Sequence, residues 1–294
     1  NGESWFAVSA VDDDDRGSSS GSVRILSIAG DLSITRQGDI LGWSAGDRFG
    51  ASLAACDLNN GATPELIVGA PLADASGGLD AGRVYLYEFD NGSILELMSS
   101  LSGEAAGDHF GCSVAGLSSW GSSAMGVIVV GADSTDVGGA ASGAVYVFSA
   151  SNAEKLISWD GATAGDNMGA AVANAGDTDR DGFDDILFGV PGSDSYGVNA
   201  GEARLYSGAD GSPLLTLAPE AIEGNSPPAH FFGRFGSSVA GLGRIDYDGP
   251  LTGDYYSDFA AGTDGGATTA YGQVRIATQH LNEAPVPVDD AVST

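Results

Sequence analysis

The chain has 294 residues and a formal net charge of −29, with 40 acidic residues against 11 basic ones and Lys155 as the single lysine. Such a field repels nucleic acid and anionic membrane surfaces and attracts cations. No apolar run approaches the roughly 18 residues of a membrane span, so membrane insertion is not expected. Glycine is abundant, at 46 residues, as in a protein of short strands and tight turns. The length admits about two ordinary domains or one large all-β domain. The chain opens at Asn1 with no visible leader, so it is expected to be processed or a piece of a longer protein.

The first elements are two strand-like runs, Phe6-Ala-Val-Ser-Ala-Val11 and Gly21-Ser-Val-Arg-Ile25. Between them lies Asp12-Asp-Asp-Asp15, which lacks alternate spacing and reads as a solvated acidic loop. Gly17-Ser-Ser-Ser-Gly21 formally matches a nucleophile elbow. No strand–turn–helix surrounds it, and a Ser/Gly-rich loop meets that pattern by chance.

From Gly46 onward the chain repeats. Gly46-Asp-Arg-Phe-Gly50 recurs as Gly107-Asp-His-Phe-Gly111, Gly165-Asp-Asn-Met-Gly169 and Gly233-Arg-Phe-Gly236. Each is followed by an apolar run: Leu66-Ile-Val-Gly-Ala-Pro71, Ile128-Val-Val-Gly-Ala-Asp133, Ile186-Leu-Phe-Gly-Val-Pro191 and Phe259-Ala-Ala-Gly-Thr-Asp264. A third motif then appears as Gly82-Arg-Val-Tyr-Leu, Gly143-Ala-Val-Tyr-Val, Gly201-Glu-Ala-Arg-Leu and Gly272-Gln-Val-Arg-Ile. Its central residue falls at Val23, Val84, Val145, Ala203 and Val274, spacings of 61, 61, 58 and 71. The Asp90-Asn-Gly92 and Asp210-Gly211 turns close hairpins between the last two strands of their units. The fold class is therefore all-β, with four-stranded units repeating at the period of a propeller blade. One such unit cannot bury both faces of its sheet, so units must stack.

The most informative stretch lies in the fourth unit, Asp177-Thr-Asp-Arg-Asp-Gly-Phe-Asp-Asp185. Asp177, Asp179 and Asp181 alternate, Gly182 permits a sharp turn, and Asp185 closes the loop. A hard cation such as Ca²⁺ takes six to eight oxygens from a short, tightly turned loop. The Phe183 carbonyl can add a neutral oxygen. An EF-hand would need a bidentate Glu at its twelfth position, where this chain has Phe188. The flanks read as strands, so this is a calcium loop inside a β-hairpin.

Equivalent loops follow by counting back from the glycine of the second motif. In the second unit the candidate ligands are Asp57, Asn59, the Thr63 carbonyl and Glu65, with Gly61 replacing one ligand. The loop after Leu117 has no acidic residue before Val127 and is expected to bind nothing. In the last unit Asp254 and Asp258 align with Asp181 and Asp185, and Asp246 or Asp248 completes the set. Calcium in these loops is expected to be mainly structural, offsetting the repulsion of clustered carboxylates.

The combination of Phe-Gly, Gly-Ala-Pro and the Asp-x-Asp-x-Asp-Gly loop between them resembles the FG-GAP repeat of integrin α-subunit β-propellers and their bacterial relatives. The resemblance covers roughly residues 1–279 and implies a β-propeller with calcium loops between the first two strands of some blades. The blades fall at about 1–45, 46–106, 107–164, 165–231 and 232–279, four full and the first partial. Family propellers usually have seven blades; this chain either belongs to a larger one or closes with five. Residues 220–230 form an insertion, and residues 280–294 a linker or closing strand that resembles the lead-in to cadherin-like repeats.

Signs of an enzyme are weak. His109, His230 and His280 sit in unrelated contexts, and neither a phosphate loop nor a zinc helix is present. Cys56 and Cys112 read as buried small apolar residues rather than a disulfide framework. Trp5, Trp43 and Trp159 are expected to fill gaps between blades, with Trp120 as the one exposed for binding. The expectation is a non-enzymatic, calcium-binding extracellular module, secreted or on the cell surface. Its protein or glycan ligand would sit on the face that carries the metal loops. The alternatives are a propeller domain of a larger secreted enzyme or a self-assembling structural subunit.

Overall fold

The computed structural model describes residues 4–61, 63–90, 93–121, 125–219, 234–243, 258–263 and 274–277. The described residues form eighteen strands and no helix, in five antiparallel sheets that follow one another along the chain. The first holds β1 (Ser4–Ala10), β2 (Ser22–Ile28) and β3 (Ile34–Leu41). The second holds β4 (Ser52–Cys56), β5 (Glu65–Ala70), β6 (Arg83–Asp90) and β7 (Ser93–Ser102). The third holds β8 (Ser113–Leu117), β9 (Val127–Ala132), β10 (Ala144–Ser149) and β11 (Lys155–Asp160). The fourth holds β12 (Val172–Gly176), β13 (Asp185–Val190), β14 (Glu202–Tyr206) and β15 (Pro213–Leu217). The last holds β16 (Ser238–Gly243), β17 (Asp258–Gly262) and β18 (Val274–Ala277). A fourth strand for this unit would fall beyond Ala277, outside the described residues, as do the insertion at 220–230 and the tail at 280–294.

The apolar second motif becomes the second strand of each full sheet. Strands β5, β9 and β13 are buried along their whole length. Their near-continuous hydrophobicity follows from being covered on both faces by neighbouring sheets. The first strands β4, β8, β12 and β16 pack side by side in sequence order. This succession of outward-running meanders is the blade arrangement of a β-propeller.

The Phe-Gly pair joins the blades through backbone chemistry. The Phe49 N–H donates to the Ser20 carbonyl of the preceding unit at 3.1 Å, and the Gly50 N–H donates to the Gly69 carbonyl of its own unit at 2.9 Å. Both bonds recur: Phe110 to Ala81 and Gly111 to Gly131, Met168 to Ser142 and Gly169 to Gly189, Phe235 to Ala200 and Gly236 to Gly262. The approach is close enough to require glycine in the second motif as well. A Cβ on Gly131 would lie 1.9 Å from the Gly169 carbonyl oxygen, and one on Gly189 would lie 1.8 Å from that of Gly236.

The residue before each aromatic position is left-handed: Arg48, His109, Asn167 and Arg234 have φ between 42° and 56°. The turn is held by the motif aspartate, whose carboxylate accepts the N–H three residues back: Asp47 from Ser44 at 3.1 Å, Asp108 from Ala105 at 2.9 Å, Asp166 from Thr163 at 3.2 Å. Burial pushes all three of these carboxyls above the ordinary aspartate value. His109 is thus a turn residue, with Nδ1 3.0 Å from the Ser134 hydroxyl.

The tryptophans divide differently from expectation. Trp120 is 7% exposed and lies in the core between the third and fourth sheets, because the loop that carries it docks onto its neighbour. Trp159 packs against the stacked rings of Phe188 and Tyr206, filling space between blades. Trp43 and Trp5 are the exposed pair, at 58% and 41%. The cysteines are free and half-buried rather than fully buried, Cys56 at the end of β4 and Cys112 just before β8. Burial pushes both thiols up, to about 11 and about 12, which leaves them poor nucleophiles at neutral pH.

Candidate metal centre

The loop from Asp177 to Asp184 joins β12 to β13, and the register is irregular where it begins, with Gly176 opposite Asp185. Its turn is made by two left-handed residues, Arg180 at φ 66° and Gly182 at φ 93°. Asp177 accepts the N–H groups of Asp181 and Gly182, each at 3.1 Å. Asp179 also accepts the Asp181 N–H at 3.1 Å. These bonds fold the backbone over the first two carboxylates and turn their oxygens inward.

Asp185 closes the site from below. It is fully buried, and its carboxylate accepts the Thr178 N–H at 2.8 Å, the Thr178 hydroxyl, and the Gly208 N–H at 2.9 Å from the turn after β14. Oxygens of Asp177, Asp179 and Asp185 all lie within 4.8 Å of one another. Asp181, expected as a fourth ligand, points elsewhere, accepting the Phe183 N–H at 2.9 Å and the Ser207 hydroxyl at 3.1 Å.

Three carboxylates so close carry an electrostatic cost. Burial and the charges of Asp181 and Asp177 push Asp179 upward. Burial, against its hydrogen bonds, pushes Asp185 up to about 6. The donor set is all oxygen and formally trianionic. It fits a hard divalent cation, with the remaining positions open to backbone carbonyls and water, and it lacks the soft ligands that select transition metals.

The second-unit loop is built another way. Glu65, 1% exposed, occupies the place of Asp185, but its oxygens accept the Leu58 N–H at 2.7 Å and the Asn59 side-chain amide at 2.6 Å. Asp57 accepts the Gly61 N–H at 3.0 Å. Asp57, Asn59 and Glu65 thus fold their loop with protein hydrogen bonds, and Thr63 lines a groove beside Glu65. Asp246, Asp248 and Asp254 lie outside the described residues, and Asp258 is described only as the first backbone position of β17.

The loop after Leu117, which carries no acidic residue, borrows one. Asp184 accepts the Ser118 N–H at 3.1 Å and its hydroxyl at 3.0 Å, and the Asp184 N–H donates to the Ser119 hydroxyl at 3.0 Å. Nothing within the loop's own residues signals this contact, and it explains why Trp120 is buried. A second missed feature is the aspartate four residues past each second-motif strand. Asp14, Asp74, Asp136 and Asp194 each accept the N–H of the left-handed residue five or six positions on: Ser19, Asp80, Ala141 and Asn199. The spacing recurs in the sequence and was a usable signal. The elbow-like match from Gly17 to Gly21 is structural: Ser20 is buried and donates to the Asp13 carbonyl at 3.0 Å.

A family model for the FG-GAP repeat matches residues 49–87, the stretch from the first aromatic of the repeat into β6. Integrin alpha-6 from Gallus gallus is 30% identical over 205 residues, 67% of this chain and 17% of its own length. Integrin alpha-5 from Xenopus laevis is 28% identical over 235 residues, 75% of this chain and 20% of its own. Integrin alpha-2 from Bos taurus is 24% identical over 225 residues, 74% of this chain and 17% of its own. The chain therefore spans a fifth or less of these relatives. The repeat match, these relatives and the succession of stitched four-stranded sheets place the chain among the FG-GAP, integrin-like β-propellers.

Proposed function

We propose that this chain is a calcium-binding, extracellular β-propeller that acts as an adhesion or ligand-binding module and not as an enzyme. The observation that carries the calcium reading is the convergence of Asp177, Asp179 and Asp185 within 4.8 Å. The ion would neutralise these carboxylates and fix the β12–β13 loop, with Asp177 and Asp179 from above and Asp185 from below. Its role is structural: the loop braces the fourth sheet through Gly208 and the third through Asp184. The adhesion reading rests on the integrin α relatives. The extracellular reading rests on those relatives and on the acidic surface. No helix among the described residues is long and apolar enough to cross a membrane.

The test is a thermal melt of wild type and Asp179→Ala, each with excess Ca²⁺ and with chelator. Binding to the native state alone stabilises it by about 2.7 kcal/mol at a hundredfold excess of ion over Kd, and so raises the melting temperature with ion concentration. The wild type should shift clearly and the variant much less. Identical melts for the wild type with and without calcium would remove the assignment.

A further inference from the structure

A second groove among the described residues lies at the other end of the strands from the acidic loops. Strand β5 begins after the 57–64 loop, which has the sheet position of the metal loop, and ends at the 71–82 loop. That far end holds a groove of about 420 Å³ lined by Trp43, Asp74, Asp80, Arg83, Tyr85 and Ser100, with the repeat aspartate Asp47 at its base. The volume lies within the range of small-molecule sites.

The repeats of the chain supply an internal control. Asp47 recurs as Asp108 and Asp166, and Asp74 as Asp136 and Asp194, with the same backbone partners each time. These two are scaffold. Tyr85 and its cross-strand partner Ser100 also recur, as Tyr146 and Ser158, whereas Trp43, Asp80 and Arg83 do not. Trp43 is matched by Glu104 and Ala162, Asp80 by Ala141 and Asn199, and Arg83 by Ala144 and Glu202. An indole, a carboxylate and a guanidinium have been added to a common turn at one site.

Their setting is rigid. Trp43 runs nearly parallel to Tyr85, at 9° with ring centroids 6.4 Å apart. More than half of its surface remains in solvent, at 58%. Arg83 is fixed by donating its Nε–H to the Asp74 carbonyl at 3.2 Å. Groups pre-ordered this way lose little entropy on binding.

We infer that this groove is a neutral-saccharide site, with Trp43 as the stacking platform and Asp80 and Arg83 as the polar pair for ring hydroxyls. The apolar face of a pyranose stacks on an indole wall. Vicinal hydroxyls donate to a carboxylate and accept from a guanidinium fork. The carboxylates of Asp47, Asp74 and Asp80 outnumber Arg83, so the groove selects against uronic and sialic acids. The other large groove, about 340 Å³ beside Trp5, Phe6 and Leu66, has mostly apolar walls and offers no such pair. The inference rests on the ligand-binding reading above and gives it a ligand class, on the opposite end of the strands from the acidic loops.

The test is calorimetric titration of the calcium-loaded chain with lactose, maltose, cellobiose and chitobiose, and with glucuronic acid and sialyllactose as anionic probes. At least one neutral probe should bind saturably. Trp43→Ala should weaken it about tenfold, the upper end of what one aromatic stack contributes. Trp43→Phe should recover most of the loss, Arg83→Gln should also weaken binding, and Trp5→Ala should change nothing. Melting temperatures close to wild type show that the variants fold. No binding by any neutral probe, preference for the anionic ones, or an unaffected Trp43→Ala would overturn the inference. Beads coated with the chain, tested for attachment to protein and glycan surfaces, report on adhesion separately. Attachment without saccharide binding sinks the groove alone; binding without attachment sinks the adhesion reading.

Discussion

Asp184 and Asp185 are neighbours with opposite duties. Asp185 faces into the acidic triad, while Asp184 faces the preceding blade and holds Ser118 and Ser119. Asp184→Ala should therefore lower the melting temperature in calcium and in chelator alike, by the equivalent of about 1–2 kcal/mol for a charged acceptor lost at a partly exposed site. The calcium-induced shift itself should persist, because Asp177, Asp179 and Asp185 are intact. A vanished shift in this variant would mean that Asp184 serves the ion directly. Glu65 offers the complementary case. Its carboxylate is already occupied by Leu58 and Asn59. Glu65→Ala should cost about 1–3 kcal/mol from the stranded Leu58 N–H, measured by denaturant unfolding, with the same loss in calcium and in chelator. A loss confined to the calcium-loaded protein would place an ion in the second-unit loop.

At the level of strands and sheets, much was legible because the repeat writes each rule several times. The second-motif runs became β5, β9, β13 and β17, and the third-motif runs became β6, β10, β14 and β18. What stayed illegible was direction. Alternate aspartates read as converging ligands, yet Asp181 turns to Phe183 and Ser207. Period-two spacing assumes an extended chain, and the left-handed Arg180 breaks it. Trp120 looked free because its own loop carries no ligand; the acid that anchors that loop lies 66 residues away from Ser118, at Asp184. The first sheet has a device of the same non-local kind. Asp39 on β3 accepts from Arg24 Nε at 3.0 Å on β2 and from Arg36 Nη2 at 2.5 Å. These arginines hold its carboxyl down at about 2, from 3.8. A depressed carboxyl stabilises the fold above its unfolded value and loses that contribution as pH falls toward its folded value. Asp39→Asn should therefore melt below wild type at neutral pH, and the gap should close between about pH 4 and about pH 2. A gap that stays constant across this window would assign the difference to packing instead of charge.

Over the whole molecule, each sheet is joined mainly to the ones beside it. The Phe49, Phe110, Met168 and Phe235 amides each reach one unit back, and the innermost strands touch in sequence order. A chain of modules coupled to nearest neighbours transmits a local change over a short range, with stability close to a sum of unit and interface contributions. The acidic triad sits in the fourth sheet, and its contacts reach Gly208 within that sheet and Ser118 in the third. Removing the ion should thus loosen those positions and leave distant ones untouched. In native-state hydrogen exchange, chelation should speed the amides of Thr178, Gly182 and Gly208 most and that of Ser118 next. Those of Phe49, which reaches back to the first sheet, and Gly50, which bonds within the second, should not change. Local opening free energies span a wide range within one protein, so the graded pattern is resolvable. Uniform acceleration across all five sheets would show instead that the molecule opens as one cooperative unit, with the metal loop setting the stability of the whole.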